Sequence, residues 1–392
     1  MKDYWREDES KNVNIKKIII LIAIIIIIGL IVTVIILYKK NDNFRNWIDV
    51  QILRKQVLQE KVTTIDLEEN QNANIYAFNK YIGILNKNKL EVYGSTGNKE
   101  ADLDVQIVNP LFNTANRFLA IGEQNGQKIY LIEDKKVSWE KEVEGNISQV
   151  YVNKNGYVAV TISGTSYKSI IQVFDSDGNP LFKKYLPSTL SVDVSISNDN
   201  KYLAIAEVDT SGTAIQSNVR IISIDKVKTD PTNSEEESYK SESNKLLVNI
   251  EYENKNKIVC MYTDSISLIE DGKEKSLFDN KDKKVTAQSI NLNNNFTIIQ
   301  EESSGIFSAN SLVNIQNIDN QETKNYRVDT VVKEIYTDGD IIALNLGTEV
   351  EFINTSGWLV KRYVANQEIT KVTVSSNIAG IIYRDKVEII NF

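Results

Sequence analysis

One apolar pattern recurs eight times between residues 81 and 382, and it limits the fold more than any other feature of the chain. Its copies are Tyr81-Ile-Gly-Ile-Leu85, Arg117-Phe-Leu-Ala-Ile121, Tyr157-Val-Ala-Val160, Tyr202-Leu-Ala-Ile205, Lys257-Ile-Val-Cys260, Phe296-Thr-Ile-Ile299, Asp340-Ile-Ile-Ala-Leu344 and Ile378-Ala-Gly-Ile-Ile382. A second, alternating run follows each in step, from Lys89-Leu-Glu-Val-Tyr93 to Lys386-Val-Glu-Ile-Ile390. Period-two alternation and β-branched enrichment make both sets strands, with hairpin turns at Ser95-Thr-Gly97, Asp175-Ser-Asp-Gly178, Asp271-Gly272 and Thr355-Ser-Gly357. Helical periodicity is absent from this region.

A unit of roughly 40 residues with four strands buries its faces only against neighbouring units, which is the signature of a β-propeller. The expected fold is therefore all-β, an eight-bladed propeller over 61–392, with seven blades as the alternative. The last repeat ends after its third strand, at Ile390-Asn-Phe392. An unassigned strand, Val62-Thr-Thr-Ile-Asp-Leu67, lies ahead of the first repeat, so residues 61–68 are expected to complete the last blade and remove an exposed sheet edge. The polar stretch Lys228 to Lys245, with its Glu235-Glu-Glu237 run, reads as a solvated loop inserted in the fourth blade.

Ahead of the repeats, Ile18 to Leu37 is a run of twenty residues without a charge. At about 1.5 Å per residue it matches a bilayer's hydrocarbon core. The run exceeds a signal peptide's apolar stretch and no small-x-small site follows it. The expected layout is a cytoplasmic tail (1–17), a retained membrane helix (18–38), a juxtamembrane segment (39–60) with Trp47 as an interfacial anchor, and the propeller outside. Basic residues flank the span on both sides, Lys16 and Lys17 before it and Lys39 and Lys40 after it, so the outward orientation rests mainly on the basic tail.

The turn Ser197-Asn-Asp-Asn-Lys-Tyr-Leu-Ala204, with Asp338-Gly-Asp340, resembles the turns of WD40-like and quinoprotein-like propellers, without the Trp-Asp dipeptide of true WD40 repeats. Tail, span, Trp47-Ile-Asp49 and repeat domain together resemble an uncharacterised family of single-pass, membrane-anchored propeller proteins of Gram-positive bacteria. That resemblance implies the architecture and, through the membrane-tethered quinoprotein-like propellers, a scaffold or assembly role.

The chain has no histidine and one cysteine. Histidine-based nucleophilic systems, histidine-ligated metals and dithiol chemistry are closed to it. Cys260, inside an apolar run, reads as core. A net charge of -8 and a pI near 5.1 oppose nucleic-acid binding. Asp175-Ser-Asp-Gly-Asn179 looks like the start of a calcium loop, but strand follows at Pro180 and the downstream ligands are missing, so it reads as a hairpin turn. Asp193, Glu251 and Glu334 fall on first strands and are the pore-facing carboxylates, expected to be solvated. Trp139, Tyr185, Trp358 and Tyr363 are expected to pack between blades.

No catalytic, cofactor or metal residue is assigned. The expected function is a non-enzymatic, extracytoplasmic scaffold at the membrane that binds a protein or an envelope polymer, without a cofactor. Two alternatives stay open: a carboxylate-based hydrolase or lyase in the channel, and a small-ligand receptor.

Overall fold

A computed structural model describes residues 15–41, 44, 45, 48, 52, 62–67, 73–164, 166–230, 233–241, 245–254, 256–281, 283–303 and 309–392. Most of the expected juxtamembrane segment, Trp47 included, and the tail before residue 15 lie outside them. The chain forms two compact units, Met1–Leu58 and Gln59–Phe392.

In the first unit, helix α1 spans Ile15–Lys40. From Ile22 it is long and apolar enough to cross a membrane, and none of that stretch is buried in the protein. Isoleucines project on every side of it, among them Ile22, Ile25 and Ile28.

The second unit is a ring of eight four-stranded antiparallel sheets. Blades 1 to 7 cover 74–104, 110–142, 146–186, 190–240, 247–279, 285–328 and 334–364, each a meander in chain order. Blade 8 takes three strands from the C-terminus and its outermost from the start of the domain. Thr63 pairs with Ile389, Ile65 with Val387 and Asp66 with Lys386, so the expected closure is present. The second strands are buried along their length, as in Phe118–Glu123 and Ile341–Asn345, because sheets cover both of their faces. The outer strands are mostly exposed, which accounts for their polar composition.

The core lies between the blades. Tyr76, Phe78, Leu90 and Val92 of blade 1 interlock with Leu119, Ile121 and Tyr130 of blade 2, and similar clusters fill other junctions. At the closure, Ile65, Val387 and Ile389 of blade 8 pack with Ile75, Ile82 and Ile84 of blade 1.

One expectation fails. The stretch Lys228 to Lys245 is not simply a loop: it starts in a short helix, α2 (Ile224–Thr229), capped by Ser223, and its Glu235–Lys240 is the outer strand of blade 4. Charge pairing explains how so acidic a run enters a sheet. Glu235 pairs with Arg220 on the neighbouring strand, and Arg220 also holds the buried Glu207. Glu236 pairs with Lys226 of α2.

Alternating strand direction sorts the connections onto two faces. Turns from first to second strands lie on one, here the turn face; second-to-third turns and the links between blades lie on the other, the link face. The chain enters the ring at Thr63 on the turn face.

Candidate functional site

The innermost strand of each blade lines a central channel, in which a cavity of about 600 Å³ is enclosed by residues from all eight. On three neighbouring inner strands the channel wall becomes a buried polar network. Asp193 of blade 4, only 6% exposed, accepts hydrogen bonds from the Gln149 amide of blade 3 (2.5 Å) and, on its other oxygen, from the Asn249 amide (2.7 Å) and the Ile250 N–H (2.9 Å) of blade 5. One layer along, the Tyr151 hydroxyl meets the Ser195 hydroxyl at 2.9 Å and donates to Glu251 at 3.1 Å, while Ser195 accepts from the Tyr252 N–H at 3.0 Å.

The channel opens on the turn face through a second cavity of about 300 Å³, where Glu251, Glu253 and Asp338 gather beside Lys154. Lys154 reaches from blade 3 to the Asn293 side chain of blade 6, 3.1 Å away. Burial raises all of these carboxyls: Asp193 to about 7, Glu251 to about 8 with further push from Asp193 and Glu253, and Glu253 to about 7. Asp338 is raised too, again by burial. Each is already an acceptor within the ring: Glu253 takes the Asn294 N–H at 2.8 Å and Asp338 the Ser376 N–H at 3.0 Å.

These contacts belong to a circuit that crosses every blade junction at this end. Asn79 N–H donates to the Asn116 carbonyl, Val152 N–H to the Asn113 side chain, and the Asn153 amide to the Ser197 carbonyl. Asn198 then donates to the Glu253 carbonyl, Asn294 to the Glu253 carboxylate, and Asn293 N–H to the Gly339 carbonyl. Ser376 donates to Asp338, and Ser375 closes the circuit on the Asn79 carbonyl at 2.6 Å. Asparagine suits these turns because it tolerates left-handed backbone, adopted by Asn79, Asn116, Asn200 and Asn294, and carries both donor and acceptor.

Of the residues singled out in the sequence, Asp193 and Glu251 meet in this network. Asp193 is buried rather than solvated, because three blades converge on it. Glu334 stays apart, exposed at the start of its strand and bonded to the Tyr336 hydroxyl at 2.5 Å. The Asp175 carboxylate closes its own turn, accepting from the N–H groups of Asp177 (3.0 Å) and Asn179 (2.8 Å). Trp139 and Tyr363 are buried between blades, Trp139 against Phe174 and Tyr363 on the Tyr383 hydroxyl at 2.6 Å. Trp358 is half-buried at the turn into its outer strand, and Tyr185 is exposed, its ring tilted against that of Tyr167 with centroids 4.8 Å apart. Cys260 is fully buried, which pushes its thiol up. Glu253, Lys154 and Tyr151 escaped the sequence reading, although the spacing of Glu251 and Glu253 on one strand already put both on the same side.

The link face differs in chemistry. Val108, Tyr167, Tyr185, Leu190, Ile215, Val248, Val331 and Val364 are exposed, and all eight lie at that end by strand direction, Val248 also lining the channel. Of the propeller's other exposed large apolar residues among those described, Phe112 lines the channel and Phe392 ends the chain.

Fold and closure define the chain as an eight-bladed β-propeller behind an apolar helix. It belongs to the family described as Family of unknown function (DUF5711), whose model matches residues 54–392. No curated protein matches it. Among solved structures, BamB from Moraxella catarrhalis is similar over 85% of this chain and 99% of its own, at 13% identity and a TM-score of 0.49. Apo AztD from Citrobacter koseri follows at 80% and 90% coverage, 11% identity and a TM-score of 0.49. The dihydro-heme d1 dehydrogenase NirN in complex with DHE matches 84% of this chain and 75% of its own, at 9% identity and a TM-score of 0.51. These likenesses are of fold alone.

Proposed function

We propose that the protein is a non-enzymatic scaffold, anchored in a membrane by α1, that binds a protein partner through the link face of its propeller outside the cytoplasm. The observation that carries this reading is the concentration of exposed apolar side chains on that face, while the channel mouth on the turn face is lined mostly by polar and charged residues. Tyr167 and Tyr185 supply the aromatic surface typical of binding centres. The raised carboxyls at the channel mouth favour a second reading, carboxylate chemistry in the 300 Å³ cavity. Their hydrogen bonds argue for a structural task instead, since each already serves as an acceptor inside the ring.

Affinity capture with the full chain, compared with a Tyr185→Asp, Leu190→Asp double variant, tests the scaffold reading. A specific protein should be lost in the double variant while the melting temperature holds. Unchanged capture would sink the assignment of this face. Protease added to intact protoplasts should digest the propeller; full protection would place it in the cytoplasm.

A further inference from the structure

Between blades 4 and 5, on the turn face and away from the channel, lies a cleft of about 260 Å³ whose walls carry Tyr202, Tyr239 and Tyr252 together with Glu237 and Asp271. It stands apart from the link face, so it does not depend on the scaffold reading. Glu236 lines the cleft as well, but the acids of this wall and strand differ in their partners. Glu235 and Glu236 each pair with a cation, Arg220 and Lys226, whereas among the described residues no lysine or arginine pairs with Glu237 or Asp271. Glu237 takes a hydrogen bond from the Tyr239 hydroxyl, and Asp271 one from the Asn256 amide at 3.3 Å.

Tyr252 supplies a second, independent observation. It is 4% exposed and lines the cleft, yet its hydroxyl finds no hydrogen-bond partner among the described residues. A hydroxyl so placed is left open to the cleft, where a ligand could engage it. Burial raises this hydroxyl's pKa, and Tyr202, Asp199, Glu237 and Tyr239 push it further.

We infer that this cleft binds an organic cation bearing N–H groups, the side chain of an arginine or lysine presented by a peptide. Tyrosine rings and stems give the apolar and cation-attracting wall, and the Glu237 and Asp271 carboxylates with the Tyr252 hydroxyl oxygen give acceptors. Those acceptors select for N–H donors over a quaternary ammonium, which has none to offer.

Ligand-observed NMR titration of the detergent-solubilised full chain with N-acetyl-arginine methylamide and N-acetyl-lysine methylamide tests this. At least one probe should bind saturably, and Glu237→Gln and Tyr252→Phe should each weaken it by about tenfold, the loss expected for a hydrogen bond to a charged group. Glu334→Gln on blade 7, remote from the cleft, should change nothing. Thermal melts of the variants keep folding separate from binding. The inference is overturned by the absence of saturable binding of both probes, by binding that ignores both variants, or by tetramethylammonium binding as tightly as the probes.

Discussion

The indole N–H of Trp139 donates to the Ser176 carbonyl at 3.2 Å, tying the outer strand of blade 2 to the hairpin turn of blade 3. Gly178 in that turn has φ +79°, and a Cβ there would sit 2.7 Å from the indole ring. The turn that resembled a calcium loop is thus the seat of an inter-blade contact.

Gly178→Ala meets both a left-handed backbone and the Trp139 ring. It should destabilise the propeller by about 1–3 kcal/mol, read as a lowered midpoint in urea unfolding. Gly212→Ala, at a site open enough for a Cβ, serves as the reference and should be near neutral.

The ring closure rests on a short strand with one deeply placed side chain. Ile65 is 7% exposed and packs among Val387, Ile389, Ile75 and Ile84. Ile65→Ala should cost about 2–4 kcal/mol, whereas Thr64→Ala on the exposed side should cost little. Equal, small effects would mean that this strand does not hold the ring shut.

Much of this was readable because the second strands, covered on both faces, appear as unbroken apolar runs, and because an unfinished last repeat demands a partner strand. The polar network was not. Asp193 lies 44 residues from Gln149 and 56 from Asn249, and only the ring's curvature brings the three together. The outer strand at Glu235–Lys240 was hidden for a related reason: its place in the sheet depends on Arg220 and Lys226, contacts that leave no mark on local periodicity.

Stability should rise as the solution is acidified from about pH 9 to pH 5. Asp193, Glu251 and Glu253 have folded pKa values of about 7, 8 and 7, above their ordinary 3.8, 4.5 and 4.5. Between those limits the folded protein holds protons that the unfolded chain has lost, so stability falls with rising pH and levels off above the folded values. Glu251→Gln removes one such group while keeping an acceptor for Tyr151. It should flatten the profile and raise stability at pH 9 by on the order of 2 kcal/mol. Urea midpoints across the range that climb with pH instead would refute the assignment.

The Asp175 turn is the last test, and here the two acids separate. Asp175 accepts from two backbone N–H groups and from the Asn179 amide at 3.0 Å, whereas Asp177 contributes its backbone N–H to that turn. Asp175→Ala should therefore cost on the order of 1 kcal/mol, and Asp177→Ala should stay within about 0.5 kcal/mol. With both oxygens of Asp175 engaged by the turn, calcium added to the purified protein should give no saturable heat. A micromolar calorimetric signal abolished by the two substitutions would show that the turn opens to take a metal, and would return cation-dependent binding to the reckoning.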